Sequence, residues 1–434
     1  MADNYSEISG RAIANIASMS EAVGTELNPE TFCVLPFTHI STMTHGEIKL
    51  CCRGQSPKGG TNPHVQDPDF DLESYWQGDY MNSVRDDLIA GRKIAQCKNC
   101  WKMESQSILS LRHNRLIDHG KDPVYIQAVR DYVQTGSVPF RVPLIELKLS
   151  NICNYKCRMC WPKDSSAWAA DWEKVQQFYD TDTQEYMQNI SDMTGGKRMM
   201  NMYETNEGFV GKLVTLMETV EEIEFAGGEP ILDPIHFRIL SNVAHPEQVI
   251  LKYSTNLSTL LLNDKYNILE LWKRFKGVRL TISIDGHRDL NGYIRRGSDW
   301  DVLKQNIQAV KDALGENIIQ IKGSTCISAL NAAELGKTAE AIILELGIQW
   351  HTSRLQYPDF RHANVLPVDV LQAGVADLEK TKQHLIDLDM GKRTRFNVLH
   401  VESAQNWLEY CIDHPNTDSD TLKRFTDFNA ALDN

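Results

Sequence analysis

From about residue 140 to residue 356 the sequence alternates between short strand-like segments and longer helical ones, and this alternation constrains the fold more than any other feature. The strand candidates are LIELKLS (144–150), EEIEFAG (221–227), VILKYST (249–255), VRLTISI (278–284), NIIQIKGSTCI (317–327) and GIQWHTSRLQ (347–356). Segments with helical periodicity, such as NILELWKRF and DVLKQNIQAVKDAL, lie between most of them. Six strands alternating with helices predict a parallel α/β unit, either an open sheet or a partial barrel.

The strand faces sharpen this. Parallel strands covered on both sides read as nearly continuous runs of Val, Ile and Leu. Here one face is polar. With a side-chain period of two, Glu146, Lys148 and Ser150 share a face, as do Lys252, Ser254 and Asn256. The same holds for Thr281, Ser283 and Asp285, and for Gln320, Lys322, Ser324 and Cys326. Buried charges are costly unless paired or hydrated. The polar lanes therefore predict a barrel whose inside faces a ligand cavity; a sheet with one solvated face is the alternative.

A chain of 434 residues is long for one core and predicts two or more domains. Residues 31–53 read as a hairpin turning at His45-Gly46, 54–70 as a Gly/Pro/Asn loop, and 74–91 as a helix stopped by Gly91. Another helical stretch runs to about residue 135, and 366–434 shows helical periodicity alone. The divisions are an α+β module at 1–138, the strand–helix unit at 139–365 and a C-terminal helical segment at 366–434. With 42% hydrophobic and 24% charged residues the chain is globular, and no apolar run approaches the ~20 residues needed to span a bilayer. The start, MADNYSEISGRA, has no apolar leader, so a cytoplasmic protein with no membrane partner is expected. A net charge of −13 argues against duplex nucleic acid as a partner.

Ten cysteines in a reducing compartment read first as metal ligands rather than disulfides. They cluster: Cys51 beside Cys52, Cys97 and Cys100 as a pair with two residues between them, and Cys153, Cys157 and Cys160 in LSNICNYKCRMCWP after the first strand. Three thiolates on one loop leave one iron of a [4Fe–4S] cube open, which suits chemistry at that iron. A zinc site is the alternative and would want a fourth ligand.

Three cysteines at this spacing, at the end of a strand, resemble the radical S-adenosylmethionine (radical SAM) superfamily. The resemblance extends to Gly227-Gly228-Glu229-Pro230 after the second strand, STN at 254–256, SIDG at 283–286 and NGYIRRG at 291–297. These motifs cover about residues 144–330. The fold implied is a partial (β/α)6 barrel. The resemblance implies that Cys153, Cys157 and Cys160 hold a [4Fe–4S] cluster whose open iron chelates SAM. It further implies that Gly227 and Gly228 admit the methionine part of SAM, that Glu229 meets its ammonium, and that Asn256, Ser283 and Asp285 line the site. Met159 stands where the family often has an aromatic residue that supports the adenine. The segment from Trp161 to the glycine pair is longer than usual and rich in Trp, Tyr and Met, which fits either core helix or an added pocket wall.

Further upstream, Cys33, Gly46 and Cys51 match the opening of a SPASM or twitch motif, and Cys97 and Cys100 complete four thiolates. Four can close a second, auxiliary [4Fe–4S] cluster; a structural zinc held by the same four thiolates is the alternative, and Cys52 could replace Cys51. In most relatives this module follows the barrel, whereas here it precedes it. The resemblance implies reductive cleavage of SAM to a 5′-deoxyadenosyl radical, an electron donor such as flavodoxin or ferredoxin, and hydrogen abstraction from a peptide or protein side chain. Lys148, Lys252 and Lys322 suit an anionic small-molecule substrate instead. A non-catalytic iron–sulfur sensor is the third expectation. Cys326, on a polar lane, is a candidate hydrogen-atom donor.

Overall fold

The computed structural model describes residues 2–55, 62–106, 108–196, 199–204, 206–263, 265–355 and 357–433. The fold is mixed α/β around parallel strands. No helix among the described residues is long and apolar enough to cross a membrane. The strands are β1 (His39–Thr42), β2 (Ile48–Lys49), β3 (Leu144–Leu147), β4 (Lys156–Cys157), β5 (Glu222–Phe225), β6 (Ile250–Thr255), β7 (Leu261–Leu262), β8 (Tyr266–Asn267), β9 (Gly277–Ser283), β10 (Arg295–Arg296), β11 (Ile318–Ile327) and β12 (Gln349–Arg354). The chain forms two compact units, each drawn from separated stretches. One holds residues 1–150, 201–226 and 235–251; the other holds 151–200, 227–234 and 252–434.

In the first unit the strand order is β5–β3–β1–β2. β3 runs parallel to β5 and β1, and β2 folds back antiparallel on β1. The β1–β2 turn is the expected hairpin. Gly46 sits there at φ +98°, and a Cβ on it would lie 2.5 Å from the His64 imidazole, so only glycine closes this turn. Of the expected 54–70 loop, residues 56–61 lie outside the described residues. The helix expected over 74–91 is two helices, Leu72–Gln77 and Asp79–Ile89. Gly78 between them is extended (φ −74°, ψ 167°), which interrupts the i→i−4 ladder, and Asp71 caps the first helix through the Ser74 amide.

The polar lane of this unit is filled by ion pairs rather than by open space. Glu146 on β3 stands in register with Glu224 on β5. Arg115, from helix Leu111–His119, lies 2.5 Å from Glu224 and 3.6 Å from Glu222. Lys148 Nζ is 3.1 Å and His39 Nε2 3.8 Å from the Glu146 carboxylate. The expectation of Lys148 as a ligand-binding cation gives way to an internal partner, because a carboxylate this buried needs one.

In the second unit β11 runs parallel to β9 and β12, in the order β12–β11–β9–β6. Lys322 faces Thr281 and Gln349; Ser324 faces Ser283 and His351; Cys326 faces Ser353. These lane residues are partly exposed or exposed, while Val278, Leu280, Ile282, Ile327 and Trp350 on the alternate face are buried. Helix Trp300–Leu314 is started by Asp299, which accepts from the Asp301 and Val302 amides, and buries Leu303, Ile307, Val310 and Leu314 at helical spacing. The C-terminal segment forms helices Val368–Leu388, Lys392–Asp413 and Ser419–Asp433. The second of these lies against β12, the terminal strand, and buries Asn397, Val401, Ala404, Leu408 and Cys411. The Trp350 amide donates to Asn397 Oδ1 (3.1 Å), so a side chain serves a strand that has no strand neighbour on that edge among the described residues.

Candidate functional site

Cys153, Cys157 and Cys160 occupy one loop of the second unit. β4 pairs antiparallel with β10, which sets Cys157 opposite Arg295. The Cys160 amide donates to the Cys157 carbonyl (2.8 Å), and the Trp168 indole donates to the same oxygen (2.9 Å). The Tyr155 amide points at Cys153 Sγ (3.5 Å). Burial pushes the Cys153 thiol up to about 12 and raises Cys157 and Cys160 as well; the Cys157 thiolate further raises both of its neighbours. Three soft donors whose thiolates disfavour one another in a desolvated loop suit a metal cluster that binds the deprotonated form. Among the described residues no three His, Cys, Asp or Glu side chains stand close enough to hold a single metal ion.

The glycine pair abuts this loop. Gly227 has φ +114°. A Cβ on Gly228 would lie 2.2 Å from the Ile152 carbonyl oxygen, so the backbone can press here only without a side chain. The Glu229 amide donates to that same carbonyl (2.6 Å). The Glu229 carboxyl is buried and accepts from the Thr255 hydroxyl (2.7 Å), the Asn256 amide (2.6 Å) and the Ile231 amide (3.3 Å). Burial outweighs these bonds and pushes its pKa up to about 7. Glu229 thus ties the glycine turn to the end of β6. Asn256 reaches the cysteines: its side-chain amide is 3.9 Å from Cys153 Sγ and donates to Asn154 Oδ1 (3.1 Å).

At the end of β9, Ser283 is partly exposed and Asp285 fully buried. The Asp285 carboxylate is 2.6 Å from Arg295 Nη2 and accepts from the Cys326 amide (2.7 Å). Arg295 Nη1 is 3.4 Å from Cys157 Sγ. Arg295 therefore links the buried acid to Cys157. The NGYIRRG motif contained it, but nothing in the motif assigned it a role. Cys326 is partly exposed on the lane and lies within the electrostatic reach of Arg295. Met159 is partly buried between two of the cysteines.

Further along the lane, His351 packs against His400 of helix Lys392–Asp413, with ring centroids 4.9 Å apart and the planes tilted by 57°. Burial and the nearby Lys322 charge hold the two imidazoles at about 3 and 4, so both are neutral at physiological pH. The sequence pointed to Lys322; His400 had no signal because its helix is distant in the chain.

The N-terminal cysteines gather in the first unit. Cys33 precedes the turn Leu35–Thr38, Cys51 follows the hairpin, Cys97 ends the short helix Ala95–Cys97, and Cys100 lies in helix Lys98–Ser105. Two backbone-directed bonds join the loops: Gln55 N to Gln96 O (3.0 Å) and Asn99 Nδ2 to Arg53 O (3.0 Å). Burial is the first cause that raises all four thiols, Cys33 and Cys51 to about 12. Cys33, Cys51 and Cys100 each raise Cys97, and Cys100 raises Cys33 and Cys51. Cys52 faces elsewhere, its strongest electrostatic neighbours being Glu146 and Lys148. Cys51, rather than Cys52, is thus the electrostatic neighbour of Cys33, Cys97 and Cys100.

Residues 147–340 match the family model described as the Radical SAM superfamily. No curated protein matches the sequence. Among solved structures, Streptococcus suis SuiB bound to S-adenosylmethionine is 13% identical, with 72% of this chain and 60% of that chain covered and a TM-score of 0.35. The structure described as native anSMEcpe with bound AdoMet and Cp18Cys peptide is also 13% identical, with 56% and 58% covered and a TM-score of 0.32. This chain thus spans about three fifths of the length of each of these two.

Proposed function

We propose, taking residues 147–340 as a radical SAM superfamily domain, that the protein reductively cleaves S-adenosylmethionine. In this reading Cys153, Cys157 and Cys160 hold a [4Fe–4S] cluster, which when bound supplies one electron to SAM and an open iron for its amino and carboxylate groups. The chain's own residues bind, orient and exclude water. Gly227 and Gly228 leave space where a side chain would collide, and Glu229 holds that turn while it presents a buried acid. Asn256 contacts Cys153 and Arg295 contacts Cys157. The observation that carries the reading is the convergence of the three-cysteine loop, the glycine turn and the β9 end within one unit that overlaps the matched residues.

Cys33, Cys51, Cys97 and Cys100 are assigned to a closed auxiliary cluster in an N-terminal twitch-type module, with flavodoxin or ferredoxin as the electron source. The substrate is a peptide or protein side chain, and hydrogen abstraction from it follows SAM cleavage. A small anionic substrate is favoured by one observation, the Lys322, His351 and His400 group on the lane. The deciding experiment is anaerobic reconstitution, reduction with dithionite in the presence of SAM, and chromatography for 5′-deoxyadenosine. Its formation supports the reading, and loss of that product in Cys157→Ala ties it to this loop. A fully reconstituted, reduced protein that binds no SAM and forms none would overturn it.

A further inference from the structure

Arg361 is 1% exposed and carries no ion pair to a carboxylate among the described residues. Other buried arginines of this unit are neutralised: Arg158 pairs with Asp433, and Arg295 with Asp285. Arg361 is instead enclosed by rings. Its guanidinium carbon lies 4.2 Å from the Phe428 centroid and 5.3 Å from those of Tyr179 and Phe360. It donates to the Tyr179 hydroxyl and to the carbonyl of Arg158, while Nε has no partner.

Aromatic faces attract a cation, but at ~0.5–2 kcal/mol each they do not replace water around a fully buried charge. A guanidinium in such a place is stabilised by a negative group within reach. The Arg158 carbonyl identifies the direction, because Arg158 lies in the cysteine loop between Cys157 and Cys160. Cys160 itself packs against the aromatic cluster that encloses Arg361. Cys160 is also among the groups that act electrostatically on the guanidinium.

We infer that Arg361 is the buried counter-cation of the cluster held by Cys153, Cys157 and Cys160, a positioning residue that makes the cluster easier to reduce. The inference rests on the proposed cluster assignment. Three thiolates outweigh the positive charge of an oxidised cube, and reduction adds one more electron to that excess. The electron comes from an external one-electron donor, dithionite in the test. A fixed cation beside Cys160, in a ring-lined site closed to water, favours the reduced state because no solvent has to reorganise around it.

The test is a spectroelectrochemical titration of reconstituted wild type, Arg361→Met and Arg361→Lys, read by electron paramagnetic resonance. The relevant signal is the one that disappears when Cys153, Cys157 and Cys160 are replaced by Ala. In Arg361→Met with full iron content, the ratio of reduced to oxidised cluster at a fixed poise should fall ~10-fold, about 59 mV for a one-electron couple. Arg361→Lys should stay within about twofold of wild type, because charge rather than shape is the property retained. An unchanged ratio in Arg361→Met at full iron content overturns the inference and leaves the cluster assignment intact. If Arg361→Met does not hold iron, Arg361→Lys decides: iron and potential near wild type support the charge, and loss of iron there overturns it. A wild-type protein whose signal is indifferent to the three cysteines overturns the cluster assignment, and the inference with it.

Discussion

Removing Arg295 should destabilise the protein strongly, and removing Asp285 with it should restore most of the loss. Asp285 is fully buried and its carboxylate lies 2.6 Å from Arg295 Nη2. At about 4 Å between charge centres and an effective dielectric of ~20 the attraction is about 4 kcal/mol. Desolvation of both groups offsets much of this in the intact pair, so the pair itself adds little net stability. Burial already raises the Asp285 pKa despite the neighbouring guanidinium, which shows how large the desolvation is. In Arg295→Met the carboxylate keeps its Cys326 amide donor but loses its counter-charge. Truncation of one partner of a buried pair costs about 3–5 kcal/mol. The double variant Arg295→Met with Asp285→Asn removes both charges and should lie within about 1–2 kcal/mol of wild type, because the Asn oxygen can still accept from Cys326. The assay is guanidinium denaturation of the three cluster-free proteins under anaerobic conditions, followed by tryptophan fluorescence. A single variant that costs under about 1 kcal/mol, or a double variant no more stable than the single, would refute the reasoning.

Three further outcomes are expected. The reconstituted protein should hold roughly eight irons; Cys51→Ala should halve the iron while Cys52→Ala leaves it unchanged, and one retained zinc with about four irons would assign the N-terminal site to zinc. Glu229→Gln should flatten a pH dependence: with a folded pKa raised from 4.5 to about 7, the folded state holds a proton that the unfolded chain lacks within that window. Wild-type stability therefore falls as pH rises from 4.5 to about 7, by roughly 3 kcal/mol in all. Unfolding midpoints of cluster-free wild type and variant at several pH values test it, and parallel curves would show that Glu229 does not titrate there. Cys97→Ala should retain SAM cleavage without substrate, since that site is closed; circular dichroism confirms the variant is folded, and a folded protein that forms no 5′-deoxyadenosine would place the auxiliary cysteines in the cleavage step.

The parts of the site legible in the sequence are those where geometry restricts residue type. Gly228 is readable because a Cβ there meets a carbonyl oxygen, and the cysteines because thiolate ligation fixes both chemistry and spacing. The alternating lanes were readable from the period of two, and β9 and β11 carry them as expected. What the lane faces was not readable. Glu222 and Glu224 are answered by Arg115 from helix Leu111–His119, a pairing between distant segments that no local pattern announces. Arg361 and His400 belong to the same class: each acts through neighbours brought by the fold, from segments whose sequence carries no local signal of it. The break at Gly78 was missed because good helical pattern flanks it on both sides.

The helix Lys392–Asp413 that lies against β12 also sets the order in which the molecule becomes safe from its own kind. Until that helix is in place, the backbone of β12 is an unpaired strand end, with the Trp350 amide open to any extended chain that reaches it. On the ribosome, β9, β11 and β12 emerge before their cover does, so neighbouring nascent chains can pair there first. Truncation ahead of Lys392 would make this interval permanent. Such a product should collect in inclusion bodies even with every proposed cluster ligand present, and a fusion at the C-terminal side should be tolerated less well the closer it lies to Asn397.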